Sequence, residues 1–577
     1  MFKKYFQSEI DSLKDLGADF SKAHPAVASM LSGPSADPDV ERLLEGVAFL
    51  TAQMRQKLDD EFPEIIHELI QLIWPHYLRP VPSSTIVAFS PKPMLKEPMK
   101  IPAGIQLGSI PVEGTPCFFN TCYDVDVHPL SLKKASFLDP AGKPPSIRLE
   151  FELHGLNLSD WKIENLRFHL AGNTTASADL YLLLRNHVRK IVLSSTDTGS
   201  GCEIPSDRLK PVGYSDKESL IPYPSNSFPG YRLLQEYFIL PEKFLFFDLT
   251  GLEHWTDKGD GARFSITFEL DDFQFTPPKV KTESFVLFAT PVINIFPHEA
   301  DPIRFDHTKT EYLVRPSGTN SSHYQVYNVE KVVGLKHGTA QQKVYAPFEL
   351  FNPRTGENPV YHTIIKQSPV EETLNVYLSP AYPPEGELPE RETISINLTC
   401  TNGTLPESLR VGDICVPTSS SPEFVDFKNI RPTTSYVLPP IGTNLLWRLQ
   451  SHLALNYLSL ASAQNLKALL ELYTFPSERN RSALLAIKKR IAGIEEVKAS
   501  PASRIVGGAM MRGQDITARL RQDHFSSPGD LYLFGCMLDE FLSSYGSINT
   551  YTRFVVQEIS KGDTYRWPVR IGDHPLI

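Results

Sequence analysis

The sequence predicts a multidomain α+β protein with an N-terminal helical segment, β-rich antiparallel middle domains, a long helix region and a small C-terminal α/β piece. Three observations carry this. Apolar residues recur at spacings of three and four up to about Arg79 and again after Pro439, the signature of amphipathic helices. Between those stretches, short runs alternate apolar and polar residues and are separated by Pro, Gly, Asn and Asp. Finally, 577 residues exceed the roughly 250–300 at which a single core stops growing. The expected divisions are residues 1–82 (helical), 83–290 and 291–436 (two β-rich domains), 437–500 (helical) and 501–577 (α/β).

The first helix is expected from Tyr5 to about Ala23, with Tyr5, Phe6, Ile10, Leu13, Leu16 and Phe20 on one face. Val27, Met30 and Leu31 suggest a short further turn. Asp37 suits an N-cap and Pro38 the first helical position, where a missing N–H is not needed. Val40, Leu43, Leu44, Val47, Leu50, Met54 and Leu58 then mark one stripe of a second helix. Pro63 is expected to end it and to start a third, in which Ile65, Ile66, Leu69, Ile70, Leu72 and Ile73 leave little polar surface. Such a helix must be covered.

From Pro80 onward the pattern is β. Strands are expected at Thr85–Phe89, Ser146–Leu153, Asp179–Leu184, Lys190–Leu193, Arg263–Leu270 and Ser284–Ala289, then at Glu311–Val314, Tyr324–Val333 and Thr393–Cys400. Most of the 48 prolines lie here and beyond, which favours loop-rich antiparallel sheets over a parallel βαβ core. Ser379–Leu388 reads as a surface loop. Thr443 caps a helix carrying Leu445, Leu446, Leu449, Leu453, Tyr457 and Leu460. Leu466, Leu469 and Leu470 follow, and then a basic helix through Leu484, Ile487, Ile491 and Ile494. The C-terminal piece is read as strands Ser503–Met510 and Asp515–Leu520, helix Asp530–Ser544 and strand Tyr551–Glu558.

Composition narrows the chemistry. Hydrophobic residues at 41% and charged residues at 21% describe an ordinary globular chain. A net charge of −10 argues against general affinity for nucleic acid. Six scattered cysteines do not make a disulfide framework, so reduced thiols are expected. No apolar run reaches the roughly 20 residues that span a bilayer, and the N-terminus is neither a secretory apolar region nor an anchor; direct membrane insertion is not expected and a cytoplasmic location is.

Catalytic signals are weak. His67-Glu68-Leu69-Ile70-Gln71 resembles the HExxH zinc helix, but Gln71 stands at the second ligand position. His298, Glu299, Asp301, Asp306 and His307 are ligand-type residues interrupted by Pro302, read as loop and turn groups. Phosphate-binding loops and nucleophile elbows are absent from the sequence. Asp59-Asp60 and Asp271-Asp272 fit element ends, and the Gly507-Gly508 pair fits a turn. Lys488-Lys489-Arg490 reads first as a solvated face and second as a dock for an acidic partner surface. No catalytic residue, metal ligand or cofactor is therefore expected, and the chain is not read as an enzyme. The alternatives are a β-rich carbohydrate-binding protein and a hydrolase with a dispersed active site.

What stands out is apolar helical surface. The candidate protein-binding residues are Leu43, Leu44, Val47, Leu50, Met54, Leu58, Ile66 and Ile70, with the large amphipathic anchors Trp74, Tyr77, Trp447 and Tyr457. The pattern alone fits an internal core as well as a bundle shared with partner chains.

The same stretch carries a resemblance. DPDVERLLEGVAFL and KLDDEFPEIIHELIQLIWPHYLRPVPS resemble the opening block of the TssF family (VasA/ImpG), a baseplate subunit of the bacterial type VI secretion system. The resemblance resumes at Pro291–Pro316, at Pro439–Leu460 and at the C-terminal blocks LYLFGCMLDEFLSSYGSINTYTRFVVQE and YRWPVRIGDHPLI, while about Ser90–Leu287 matches only in general character. It implies a non-catalytic wedge protein related to contractile-phage wedge proteins, present in two copies per wedge with one TssG. It further implies contacts with TssK and TssE, around a VgrG hub, with docking to the inner-membrane complex through partners. It also favours the shared bundle over the internal core. Two identical chains meeting one different chain cannot be fully symmetric, so the linkers near Pro80 and Pro439 are expected at different angles in the two copies.

Overall fold

The computed structural model describes residues 2–23, 38–73, 75–196, 199, 201–223, 228–318, 320–336, 342–348, 359–367, 373–381, 391–439, 462–474 and 481–572. The chain divides into two compact units, one of Met1–Leu78 with Pro440–Ser451 and one of Arg79–Pro439 with His452–Ile577.

In the first unit, helix α1 (Phe2–Ala23) packs against helix α2 (Pro38–Ile73), and a 3₁₀ turn follows at Pro75–Leu78. Pro38 takes the first helical position as its fixed φ predicts. The expected break at Pro63 does not occur: α2 is one helix of 36 residues. A mid-helix proline removes one i→i−4 bond and costs roughly 3 kcal/mol. The long ladders on either side, rich in Leu, Glu, Gln and Ile, carry that loss. The turn expected at Val27–Leu31 and the helix expected from Thr443 to Leu460 lie outside the described residues.

The second unit is built mainly of antiparallel sheets. One has the order Val425–Asn429, Ser84–Pro91, Ala289–Ile293, Thr115–Thr121, Gln106–Val112, so its centre pairs strands from distant parts of the chain. A second sheet places Arg263–Leu270 between Ser146–Leu153 and Val188–Ser195. A smaller one centres on Asn165–Leu170 and Phe246–Thr250. The 291–436 region holds an eight-stranded sheet whose longest pairing joins Gln325–Lys336 to Glu392–Thr401. Its core gathers Phe305, Val332, Leu378, Ile394, Ile396 and Cys400.

Helices fill the gaps between sheets. The segment expected as strand Asp179–Leu184 is instead helix α3 (Thr174–Asn186), capped by the Asn173 side chain, which accepts from the Thr175 N–H. Leu180 through Leu184 are all buried. A run apolar on every side reads alike as a covered helix or a covered strand, which is why periodicity misassigned it. Helix α4 (Pro229–Ile239) follows, then helices α5 (Ala463–Leu472) and α6 (Arg481–Ala492). Ile494, expected at the end of the basic helix, instead opens a strand, because Gly493 ends α6.

The C-terminal sheet runs Ile494–Val506, Ala509–Leu520, Thr550–Glu558, Thr564–Arg566. The strand expected across Ser503–Met510 is in fact the end of a hairpin. Gly507 (φ 58°) and Gly508 (φ 85°) make its two-residue turn, with both residues in the left-handed region. Ala509–Leu520 and Thr550–Glu558 are parallel, joined by helix α7 (Pro528–Ser544), buried nearly all round. The Gly529 N–H donates to Asp179 Oδ1 of α3 at 2.9 Å, so α7 seats against the earlier part of the same unit.

Candidate partner-binding surface

Helix α2 separates small from large side chains on opposite faces. Ala48 and Ala52 are fully buried and share a face with Glu41, whose carboxylate meets Lys14 of α1 at 3.2 Å. Small residues there let the two helices approach closely. On the opposite side, Leu43, Val47, Leu50 and Met54, spaced i, i+4, i+7 and i+11, are exposed by 69%, 42%, 61% and 67%. Phe49 is also exposed, on another side of α2, as are Leu16 and Phe20 on α1. Helix α2 thus hides alanines on one face and shows leucines on the other.

Of the other candidates, Leu44 is half-buried, while Ile70 and Tyr77 are buried and serve the chain's own interior. Leu58 and Ile66 lie within α2, but their side chains, like Trp74, Trp447 and Tyr457, fall outside the described residues. Sequence reasoning passed over Ala48 and Ala52, although their spacing of four marks a close-packing face.

Polar groups elsewhere are held in structural roles. His298 Nε2 lies 2.8 Å from the Ser317 carbonyl and its ring stacks on Tyr324 at 4.6 Å. Asp306 accepts from the Thr308 hydroxyl, the Thr308 N–H and the Tyr312 hydroxyl, which together hold its pKa down to about 2. Among the described residues, no group of three or more His, Cys, Asp or Glu is placed to hold a metal. All six cysteines are free. Burial pushes the thiols of Cys117 up to about 11 and of Cys400 and Cys536 up to about 12, so they stay protonated and unreactive.

A charged cluster in the interior is also closed. Glu236 Oε2 accepts from Lys243 Nζ at 2.6 Å and from Arg232 at 3.3 Å, while Oε1 accepts the Leu220 and Ile221 N–H groups. Burial pulls the Lys243 ammonium below its ordinary value, with Glu236 opposing. Each of these partners ties α4 and its following turn to the 213–221 segment; the network fastens a loop.

Among the described residues, no helix is long and apolar enough to cross a membrane. Among the described residues, the exposed stripe of α2 is thus a candidate partner-binding surface.

Residues 1–574 match the family model described as type VI secretion system, TssF. The chain is 29% identical over 630 aligned positions to the type VI secretion system component TssF1 of Pseudomonas aeruginosa, covering 100% of this chain and 99% of that one. A cryo-electron microscopy structure of the type VI secretion system TssK-TssF-TssG baseplate subcomplex contains a chain similar to this one, with a TM-score of 0.79 and 29% identity, over 92% of this chain and 98% of that. A chain in a structure of the type VI secretion system baseplate complex matches with a TM-score of 0.62 and 26% identity over 99% of both. With a full-length family match and the same fold found in a baseplate, this chain belongs to the TssF family of the type VI secretion system.

Proposed function

We propose that this chain is a non-catalytic wedge scaffold of a type VI secretion baseplate and that the α1–α2 face completes a helical bundle with a TssG-type subunit and a second copy of the chain. The exposed stripe Leu43, Val47, Leu50 and Met54 carries this reading. Covering side chains that are already partly sheltered returns about 1–2 kcal/mol each, enough over several helices to hold a permanent assembly. The solved TssK-TssF-TssG subcomplex supports TssG- and TssK-type partners. Contacts with a TssE-type sheath initiator and a VgrG hub complete the proposal, as does a cytoplasmic position docked to a membrane complex through partners. The five divisions drawn from the sequence, 1–82, 83–290, 291–436, 437–500 and 501–577, are proposed as its working segments. The helices hold each heterotrimer rigid, while the β-rich and C-terminal parts make the contacts that exchange when the sheath contracts.

Co-expression with a TssG-type partner tests the bundle. A Leu43→Asp, Val47→Asp chain is expected to fold and purify alone yet fail to retain the partner. Retention equal to wild type rejects the shared bundle.

A further inference from the structure

We infer that the β-rich region carries a ligand site for a monocarboxylate with an apolar body. The site stands independently of the scaffold reading above. A cavity of about 680 Å³, roomy enough for a small organic molecule, lies beside the two-stranded ladder of Met99–Ile101 and Val125–Val127 and is walled by loops 159–164 and 253–258. Pro98, Met99 and Ile163 supply apolar lining. Trp161 and Trp255 belong to the same wall, and both buried rings pack on Phe264, at 5.2 and 5.8 Å between centroids.

What this wall lacks is acceptors. Lys258, half-buried, donates one N–H to the Trp161 carbonyl at 2.7 Å and forms no ion pair among the described residues. Burial pulls its ammonium below the ordinary lysine value, a cost that a bound anion offsets. Trp161 Nε1 donates to His128 Nδ1 at 3.2 Å, and burial keeps that imidazole neutral. The ring hydrogen therefore sits on Nε2, where no described residue accepts it. The Trp255 N–H is shielded from water and also has no acceptor among the described residues, whereas a buried indole N–H usually finds one. Three side chains bordering one cavity thus have hydrogen bonds left to give.

The remaining charges around the cavity select the class of acceptor. Lys100 is taken by Asp124 at 2.9 Å, while Lys162 is exposed and makes no ion pair among the described residues. Asp126, Glu164 and Glu253 also line the cavity, all exposed. These carboxylates repel a phosphate group, with its charge of about −2, more strongly than a carboxylate of charge −1. The apolar lining suits a carbon body behind that single charge. Two sources present this chemistry: a free organic acid, and an acidic side chain of a neighbouring subunit.

Tryptophan emission of the full chain, titrated with phenylbutyrate, its neutral amide phenylbutyramide and inorganic phosphate, provides the first arm of the test. A saturable change is expected with phenylbutyrate alone. Lys258→Met, its fold checked by circular dichroism, is expected to weaken that binding about tenfold, and Lys258→Arg to retain it. The second arm is zero-length carbodiimide cross-linking of the chain assembled with its TssG- and TssK-type partners, read by mass spectrometry. A link from Lys258 to an Asp or Glu of another subunit supports the site and identifies a subunit as the source; phenylbutyrate binding without that link identifies a free acid. An equal response to the amide or to phosphate, or a Lys258→Met chain that binds as wild type does, overturns the assigned ligand. Neither an emission change nor a cross-link overturns the site and leaves the α1–α2 bundle untouched.

Discussion

Arg570 Nε lies 2.6 Å from Asp539 Oδ2, clamping the short strand Arg570–Ile571 onto a carboxyl that α7 keeps almost wholly buried. Burial pushes Asp539 up to about 7 even though Arg570 pulls it down, and burial raises its neighbour Glu540 as well. The folded chain therefore retains a proton that the unfolded chain sheds near 4. Stability falls as pH rises through that window and levels off above about 7. Thermal unfolding of Asp539→Asn between pH 5 and 7.5 is expected to show a flatter decline than wild type; parallel curves would show that the carboxyl does not titrate there.

Glu236 binds four donors in the interior, two of them cationic. Glu236→Gln leaves Lys243 and Arg232 buried against a neutral amide, a loss of about 3–5 kcal/mol. Disrupting the exposed pair of Lys190 and Glu203, although equally short at 2.6 Å, is expected to change urea stability by less than about 1 kcal/mol. Similar losses for both variants would contradict the burial argument.

A Cβ at Gly529 would overlap the backbone of Ala178, where α7 and α3 touch. Gly529→Ala is expected to cost at least about 1–3 kcal/mol and to reduce soluble yield. Gly46 in α2 is the control, since a Cβ there meets nothing within 4 Å. Gly46→Ala should raise stability by up to about 1 kcal/mol through helix propensity.

Ala48 and Ala52 set the spacing of α1 and α2. Ala48→Leu or Ala52→Leu is expected to separate the pair at a cost of about 1–3 kcal/mol, read as faster hydrogen exchange in both helices of the lone chain. Exchange unchanged from wild type would place these alanines away from the helix contact.

Much of this was legible in the residues. Ser146–Leu153 and Arg263–Leu270 alternate so cleanly that their strand limits coincide with the structure. The stripe on α2 was visible, but whether it faced inward was not, because periodicity reports a face and not what covers it. The errors have local causes. In α3 every position from Leu180 to Leu184 is buried, which erases the period, and at Pro63 a local breaker was outweighed by the helix around it. The Gly507-Gly508 turn was legible, but the strand expected from Ser503 to Met510 ran through it because Ile505 and Met510 read as one apolar run.

The pairing of Ser84–Pro91 with Val425–Asn429, and of Asp179 with Gly529, also governs biosynthesis. Asp179 waits for a partner 350 residues downstream, about 20–70 s of translation at bacterial rates. Until the last segment leaves the ribosome, α3 has no α7 to cover it, and the nascent chain displays a greasy helix to the cell. Chaperone demand should therefore peak late in synthesis, and removing even the final helix and strands should leave an insoluble remnant, not a shorter working subunit.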